Sequence, residues 1–274
     1  MTGENGRLAG KAAIVTGAGS RGEGIGNGRA TAILLARQGA RVMLVDQVEE
    51  WVNHTAAMIA EEGGNARVAL GDVTRPEDCA AIVKATADAW GRVDILVNNV
   101  GISGPAGDAT ELDLEQWDHA LRVNVTAMML MARYAIPEMR RAGGGAIVNI
   151  ASYAGLFGGH PSLLYPTSKG AVINMTRAMA AHHAEDHIRV NAVAPGMVYT
   201  PMVQEGGMSE AVREARKNRS LLKVEGTGWD VGNGVLYLVS DEARWVTGIV
   251  LPVDAGASAA PSAYPRRSAD NVMR

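Results

Sequence analysis

Short apolar runs alternate with longer amphipathic stretches between residues 12 and 254. The short runs are rich in valine and isoleucine, and most lack the alternation of apolar and polar positions that a half-exposed strand shows. Strands of this kind are covered on both faces, which is typical of a parallel sheet. The pattern predicts seven strands, at residues 12–16, 41–46, 66–70, 93–98, 145–150, 188–194 and 249–253.

The longer stretches repeat apolar residues at helical spacing and predict helices at 26–38, 48–62, 76–90, 113–142, 164–185 and 229–240. Pro76 would stand in a first helical turn with Thr74 as the N-cap. Gly39, Gly63 and Gly91 follow helical stretches, where a left-handed residue commonly ends a helix. The alternation implies right-handed crossovers, and hence an α/β protein with a doubly wound, seven-stranded parallel sheet and helices on both faces.

The chain contains no internal repeat and no Ser/Pro-rich linker that would divide it. We therefore expect one domain over residues 1–256, with a substrate loop or lid at about 197–228. The last segment, 257–274, has no apolar periodicity. It is expected to be mobile or to lie on a neighbouring subunit.

Composition narrows the classes of function. The formal net charge is −3, so the chain lacks the basic excess that nucleic-acid binding requires. No apolar run approaches the roughly 18 residues that span a bilayer, and the N-terminus has no hydrophobic signal core. A single cysteine excludes an internal disulfide and a cysteine-based zinc cluster. A cytoplasmic protein without nucleic-acid or membrane partners is expected.

The first predicted strand runs directly into a glycine-rich segment, TGAGSRGEGIGNGRA (16–30). Glycines at such a junction let the backbone turn tightly and approach a pyrophosphate, toward which the next helix points its N-terminal amides. Asp46 ends the second predicted strand, where a carboxylate would meet the adenosine ribose. These features predict a dinucleotide site.

Asp46 also indicates which dinucleotide binds. A carboxylate accepts hydrogen bonds from the ribose 2′-hydroxyl of NAD, whereas a 2′-phosphate would be repelled by roughly 4 kcal/mol at 4 Å and an effective dielectric near 20. Arg21 in the glycine-rich segment could reach a phosphate, but one arginine offsets one carboxylate at best. The expected cofactor is NAD.

Tyr165 and Lys169 lie four positions apart on a predicted helix, so their side chains can point into one cleft. An ammonium group about 4 Å from a phenol favours the phenolate by roughly three pKa units at that dielectric. Such a tyrosine would titrate near 7, the useful range for a general acid/base.

Together these motifs resemble those of the short-chain dehydrogenase/reductase family, over roughly residues 8–256. The resemblance rests on TG…GIG (16–26), GDV (71–73), NNVG (98–101), Asn124, Ser152, YPTSK (165–169), Asn191 and PGMVYT (195–200). It implies a Rossmann fold without a separate substrate domain and an NAD-dependent secondary-alcohol dehydrogenase, most like the dehydrogenases of cyclic alcohols and diols.

The resemblance assigns catalytic roles to four residues. Tyr165, as phenolate, would take the hydroxyl proton while Ser152 steadies the oxyanion. Lys169 would lower the Tyr165 pKa and bind the nicotinamide ribose, and Asn124 would help to hold a water chain to Lys169. The implied cofactor contacts are Gly17, Ser20, Arg21, Gly24, Ile25, Gly26, Asp46, Asp72, Val73, Asn99, Val100, Gly101, Tyr165, Lys169, Pro195, Gly196, Val198 and Thr200.

The glycine-rich segment departs from the family pattern, since six residues separate Gly17 from Gly24 where the family usually has three. We align Gly24 and Gly26 with the last glycine pair of the family and treat residues 20–23 as the insertion. Pro166 follows the catalytic tyrosine where a small residue is commoner, and it costs little in a first helical turn.

A mostly apolar substrate pocket is expected, which indicates a hydrophobic, cyclic secondary alcohol. Its predicted members are Ser152, Tyr153, Leu156, Phe157, His160, Leu164, Tyr165, Met197, Tyr199 and Met202. An alternative is a 3-oxoacyl reductase of carrier-bound thioesters, which would usually use NADP and a basic docking patch. A non-catalytic NAD-binding regulator is a further alternative, but such proteins tend to lose the tyrosine or the lysine.

A histidine group near the end of one helix, His182, His183 and His187, lacks the glutamate that a zinc-protease pattern needs, so no metal site is expected. Family members are usually tetramers or dimers. The resemblance thus implies a homotetramer or homodimer, with the helices at 113–142 and 164–185 as interface elements.

Overall fold

A computed structural model describes residues 6–22, 24–204 and 207–260 and contains one sheet of seven parallel strands in the order β3-β2-β1-β4-β5-β6-β7. The strands are β1 (Ala12–Thr16), β2 (Arg41–Asp46), β3 (Asn65–Leu70), β4 (Ile95–Asn98), β5 (Gly145–Ile150), β6 (Ile188–Pro195) and β7 (Val250–Val253). All seven predicted strands are confirmed. The largest difference in bounds is at β4, which is two residues shorter at its start than predicted.

Strand β1 shows why the apolar runs lack alternation. All five of its residues are buried, and successive side chains enter different cores. Ala13 and Val15 pack in one core, and Ile14 packs in the other. Because both faces of the sheet are covered by helices, apolar residues are needed at every position of its central strands.

The helices are α1 (Asn27–Arg37), α2 (Glu49–Glu61), α3 (Pro76–Trp90), α4 (Leu114–Leu121), α5 (Ala127–Arg141), α6 (Leu164–His182), α7 (Pro201–Gln204), α8 (Glu210–Lys217) and α9 (Gly228–Val239). α1 and α9 contribute apolar residues to one core, and α3 and α5 contribute to the other. The predicted helix at 113–142 is divided by a π-helical turn, Arg122–Thr126. The pattern did not predict α7 and α8, which are short.

The predicted helix ends hold with one exception. Gly39, Gly63 and Gly91 have φ angles of 85°, 75° and 74°, so each occupies the expected left-handed position. The prediction of Thr74 as N-cap is wrong, because Arg75 takes that position and no side chain caps α3. The amide of Thr74 instead donates to the Asp72 carboxylate, which turns the chain into the helix one residue later.

The strand order reverses between β1 and β4, and the loops after these two strands diverge to opposite sides. In open α/β sheets this switch point opens a crevice at the carboxyl ends of the strands, where ligands bind. In the described part of the chain, no helix is long and apolar enough to cross a membrane. The predicted tail begins with residues 257–260, of which Ala257 is buried against its own chain, and residues 261–274 lie outside the described part.

Candidate active site

One large cleft, with a volume of about 1930 Å³, lies along the carboxyl ends of the strands. The glycine-rich segment, Asp46 and Asp72 line one end of it. Ser152, Tyr165 and Lys169 line it further along, where β5 ends and α6 begins. The fold therefore brings most of the predicted dinucleotide residues and three of the four predicted catalytic residues into a single site.

The turn after β1 is closed by two glycines. Gly17 has a φ of 63°, and a Cβ on Gly28 would lie 1.9 Å from the Gly17 carbonyl oxygen and 2.6 Å from the Asn99 side chain. Glycine at position 28 thus lets the first turn of α1 pack directly on the end of β1. This is the role of the third glycine in a dinucleotide-binding turn.

The position of Gly28 corrects the predicted alignment of the glycine-rich segment. Gly24 and Ile25 do not line the cleft, whereas Gly26, Asn27 and Gly28 do. The sequence contains two overlapping pairs, Gly24/Gly26 and Gly26/Gly28, and either fits the family pattern by spacing. Only the start of α1 at Asn27 identifies the second pair as the one beside the turn.

Arg29 holds the longer segment in place and was missed by the sequence analysis. It is fully buried, and its guanidinium group donates to the carbonyls of Ser20 (2.9 Å), Gly22 (3.0 Å), Gly24 (2.6 Å) and Trp51 (3.2 Å) and to the Thr55 hydroxyl (3.0 Å). Burial lowers the Arg29 pKa, and nearby Asp46 opposes that shift. Nothing in the sequence marked this arginine, because its partners are mostly backbone carbonyls.

The Asp46 carboxylate is fixed by three backbone amides. It accepts hydrogen bonds from Gly19 (3.0 Å), Gln47 (2.8 Å) and Val48 (3.2 Å). A Cβ on Gly19 would lie 2.8 Å from a carboxylate oxygen of Asp46, so the glycine is needed for this approach. The predicted cofactor residues Ser20, Arg21, Asp72 and Val73 line the same end of the cleft, and the guanidinium group of Arg21 lies 5.2 Å from the Trp51 ring centroid.

Asn99 connects the turn after β1 to the end of β4. Its side-chain amide donates to the carbonyls of Thr16 (3.2 Å) and Gly17 (3.0 Å), and its backbone amide donates to the Thr16 hydroxyl (3.0 Å). These bonds fix the two strand ends at the switch point. The predicted neighbours along the cleft also line it, namely Val100, Gly101, Pro195, Gly196, Val198 and Thr200.

Lys169 is 3% exposed, and its Nζ atom donates to the Ile150 carbonyl at 3.0 Å. Burial lowers its pKa to about 8. Burial raises the pKa of Tyr165, a hydrogen bond with the Ser152 side chain opposes that rise, and Tyr153 adds to it. The Lys169 Nζ atom lies 5.9 Å from the Tyr165 ring centroid.

These values contradict the expectation that Lys169 brings the Tyr165 pKa to near 7. The expectation assumed an ammonium group about 4 Å from the phenol at an effective dielectric near 20 and no cost for burying the phenolate. In the structure the phenol is buried, and its desolvation outweighs the favourable contacts.

Asn124 lies in the π-helical turn, a feature frequently found at functional sites. Its side-chain oxygen accepts from the Ile102 amide (2.8 Å), and its amide group donates to the Ile102 carbonyl (2.9 Å) and the Ser168 hydroxyl (3.0 Å). A Cβ on Gly101 would lie 3.1 Å from Lys169 Nζ and 3.3 Å from Asn124 Oδ1. The two polar side chains therefore border the same small space.

Some residues of the predicted substrate pocket line the cleft. Tyr153, Phe157, His160 and Met197 line it, and the His160 ring centroid lies 5.3 Å from that of Tyr165. The far wall is formed by residues between 216 and 223, which no motif marked.

Three other predicted pocket residues do not line the cleft. Leu164 is completely buried, Leu156 packs against a core cluster, and the Tyr199 ring lies 4.1 Å from the Arg213 guanidinium carbon. The Met202 side chain lies outside the described part. Across residues 6–22, 24–204 and 207–260, no group of histidine, cysteine, aspartate or glutamate side chains could hold a metal ion.

We predict that Arg29→Met lowers the free energy of unfolding by about 3 kcal/mol or more. The substitution leaves several buried carbonyls without a donor, each costing about 1–3 kcal/mol. Arg37→Met, on the same helix, is the control, because Arg37 forms a half-exposed ion pair with Glu62 that is worth roughly 0–1 kcal/mol. Equal losses in the two variants, measured by urea denaturation, would contradict the assigned role.

We predict that Lys169→Met is more stable than the wild type at pH 7, by roughly 2–3 kcal/mol. The folded chain binds the Lys169 proton less tightly than the unfolded chain, in which the pKa is near 10.5. The wild type therefore carries the full penalty below about pH 8 and loses it as the pH rises toward 10.5.

Urea denaturation at pH 7 and at pH 10 measures this effect, and the difference between the two proteins should shrink at the higher pH. Lys84→Met is the control, since Lys84 is exposed. A stability difference that stays constant across this range would show that the lysine is not destabilised by burial.

Comparison with known proteins gives the chain a family. Residues 20–258 match the family model described as enoyl-(acyl carrier protein) reductase. A cis-4-hydroxycyclohexanecarboxylate dehydrogenase from Sinomonas cyclohexanicum is 37% identical over 252 residues, which cover 92% of this chain and 98% of the relative. A cyclohexanol dehydrogenase from Acinetobacter sp. (strain SE19) is 36% identical over 244 residues, which cover 89% and 93%.

A solved structure agrees with these relatives. The crystal structure described as a short-chain dehydrogenase/reductase from Burkholderia xenovorans is 42% identical, has a TM-score of 0.87, and is matched over 93% of this chain and 98% of its own. The resemblance drawn from the motifs, including its cyclic-alcohol relatives, is thus confirmed. The chain belongs to the short-chain dehydrogenase/reductase family, oxidoreductases that use nicotinamide cofactors and act on CH–OH groups.

Proposed function

We propose that this protein is an NAD-dependent dehydrogenase that interconverts a secondary alcohol and a ketone, with Tyr165 as the general acid/base. The observation that carries the proposal is the convergence of Ser152, Tyr165 and the buried Lys169 in the cleft that also contains the glycine turn. A hydroxyl, a phenol and an ammonium group side by side suit the transfer of a proton to and from a substrate oxygen.

The residues at the other end of the cleft fit a dinucleotide. The space beside Gly28 and Gly17 admits no side chain, and the buried Oδ1 atom of Asn27 has no partner within the described chain. Since oxygen and nitrogen of a side-chain amide are assigned rather than observed, this group can equally present its NH2 to a phosphate. We assign the pyrophosphate to the amides of Gly26, Asn27 and Gly28, and the adenosine ribose to Asp46.

The remaining assignments follow the family resemblance, and all of these residues line the cleft. Asp72 and Val73 would contact the adenine, and Asn99, Val100 and Gly101 the adjoining ribose and pyrophosphate. The nicotinamide carboxamide would be flanked by the residues at and after the end of β6, namely Pro195, Gly196, Val198 and Thr200. A bound nicotinamide would supply the hydride acceptor or donor.

In oxidation of the alcohol, the Tyr165 phenolate takes the hydroxyl proton while the Ser152 hydroxyl donates to the substrate oxygen. Because burial raises the Tyr165 pKa, the phenolate requires a nearby positive charge, and Lys169, whose Nζ atom lies 5.9 Å from the Tyr165 ring centroid, supplies one at neutral pH. The proton then leaves along the space bordered by Lys169 and Asn124. A lysine with a pKa of about 8 is suited to passing a proton near neutral pH.

We expect Tyr165→Phe to reduce kcat by several orders of magnitude while NADH binds as to the wild type. The substitution removes the group that exchanges the proton and keeps the ring that shapes the cleft. Stopped-flow turnover and fluorescence titration with NADH measure the two effects. Tyr134→Phe is the control, because Tyr134 packs against a core cluster, and near-wild-type turnover of Tyr165→Phe would refute the mechanism.

The cofactor preference follows from the fixed Asp46 carboxylate. We expect kcat/KM to be at least about 100-fold higher with NAD than with NADP, since roughly 4 kcal/mol of repulsion is only partly offset by Arg21. Asp46→Asn should lower the ratio of kcat/KM with NAD to kcat/KM with NADP. Asp88→Asn is the control, because it changes the net charge equally on an exposed part of α3, and it should leave that ratio unchanged. A wild-type enzyme with the higher kcat/KM for NADP would exclude this assignment.

We propose a hydrophobic, cyclic secondary alcohol as substrate. The apolar lining by Tyr153, Phe157 and Met197 supports this class, as do the relatives whose names refer to cyclohexanol and hydroxycyclohexanecarboxylate. The alternative is a 3-oxoacyl-thioester reductase, which the acyl-carrier description of the family model favours. Asp46 argues against the NADP that such reductases usually take.

A further inference from the structure

The two ends of the cleft differ in charge. Two carboxylates line it, Asp46 and Asp72, and both lie at the adenosine end, where β2 and β3 finish. The far wall at the substrate end contains Arg216, Arg219 and Lys223, and none of the described residues that line that end is acidic. A chain with a formal net charge of −3 thus has a cationic surface where the substrate would enter.

The acidic residues next to this wall are already paired with other cations. Arg213 donates two hydrogen bonds to Glu225, both at 2.6 Å, and this pairing is the largest cause of the lowered Glu225 pKa. Lys217 and Asn218 donate to Glu214 at 3.2 and 3.1 Å. Arg216 makes a smaller electrostatic contribution to the lowered Glu225 pKa, whereas Arg219 and Lys223 are not among its causes.

The three cations that line the cleft form few hydrogen bonds or ion pairs with the described part of the chain. Arg216 makes one long hydrogen bond, 3.5 Å, to the Val198 carbonyl. For the side chains of Arg219 and Lys223, the described chain offers no ion pair and no hydrogen bond within normal distances. Positive charges gathered without partners in a cleft raise the local concentration of an anionic ligand.

The backbone fixes this wall against the sheet. The Leu222 amide donates to the Ala255 carbonyl at 3.1 Å, just after β7, and Leu221 packs against Gly256. Lys223 has a φ of 52°, an uncommon value for a residue with a side chain. The cations are thus carried by a segment tied to the carboxyl end of the sheet, and Arg216 reaches the Val198 carbonyl from it.

From this arrangement we infer that the substrate is a secondary alcohol or ketone that carries an anionic group, a carboxylate or a phosphate, at the end remote from the carbinol carbon. Arg216, Arg219 and Lys223 bind that group, because guanidinium and ammonium groups form strong charge-assisted bonds with both anions. The apolar residues Tyr153 and Phe157 hold the part of the substrate between the two ends. The inference rests on the proposed function and specifies its substrate class.

Matched substrates test the charge directly. In one arm, 4-hydroxycyclohexanecarboxylate is compared with 4-hydroxycyclohexanecarboxamide, which has the same ring without the charge. In the other arm, 3-hydroxybutyryl-CoA is compared with its N-acetylcysteamine thioester, which lacks the phosphates. We expect kcat/KM to favour the charged member by about tenfold or more in at least one arm. The arm that shows the preference identifies the anion.

The double variant Arg219→Gln/Lys223→Gln should lower this preference by about tenfold. Lys217→Gln is the matched control, because it removes one cation from the same segment at a residue that does not line the cleft, and it should keep the preference. The dissociation constant of NADH is measured for all variants by fluorescence. Circular dichroism confirms that each variant is folded.

Three results overturn the inference. The first is equal kcat/KM for the charged and uncharged members in both arms. The second is a double variant that keeps the wild-type preference. The third is a double variant that weakens NADH binding and affects charged and uncharged substrates equally, which would assign the cations to the cofactor. If no alcohol of either series reduces NAD or NADP, the proposed function itself fails, and that outcome differs from turnover without a preference for charge.

Discussion

The close approach of α1 to the end of β1 is the contact on which the site depends. At Gly28 the first helical turn lies directly against the Gly17 carbonyl, and Asn99 ties the same turn to β4. This contact sets where the helix begins and therefore which amides face the cleft. It also fixes the ends of β1 and β4 at the switch point, beside the end of β5 and the start of α6, where Ser152 and Tyr165 lie.

Two buried cations, Arg29 and Lys169, belong to the elements around the site. Arg29 is buried but fully bonded, so its charge organises the backbone around it. Lys169 is buried with one backbone partner, and its pKa is lowered because burial disfavours the charged ammonium group. The first group stabilises the loop that borders the cleft. The second is a local destabilisation of the kind that active sites retain for chemistry.

Much of the fold could be predicted from the sequence, because a sheet covered on both faces requires uninterrupted apolar strands and these were visible. The residues proposed as catalytic came from the family resemblance, and the structure brings Ser152, Tyr165 and Lys169 into one cleft. The sequence did not show which of two glycine pairs forms the turn. Gly24/Gly26 and Gly26/Gly28 have the same spacing and differ only in their three-dimensional contacts. The far wall of the cleft lies within the expected substrate loop, but its individual residues Arg216 and Lys223 follow no periodicity and no motif marked them.

The bonds of Arg29 have a consequence for the motions of the protein. Through Trp51 and Thr55 the guanidinium group joins the glycine-rich loop to α2, so the loop cannot open locally without releasing bonds from both elements. Loop and helix should therefore exchange their amide hydrogens as one cooperative unit.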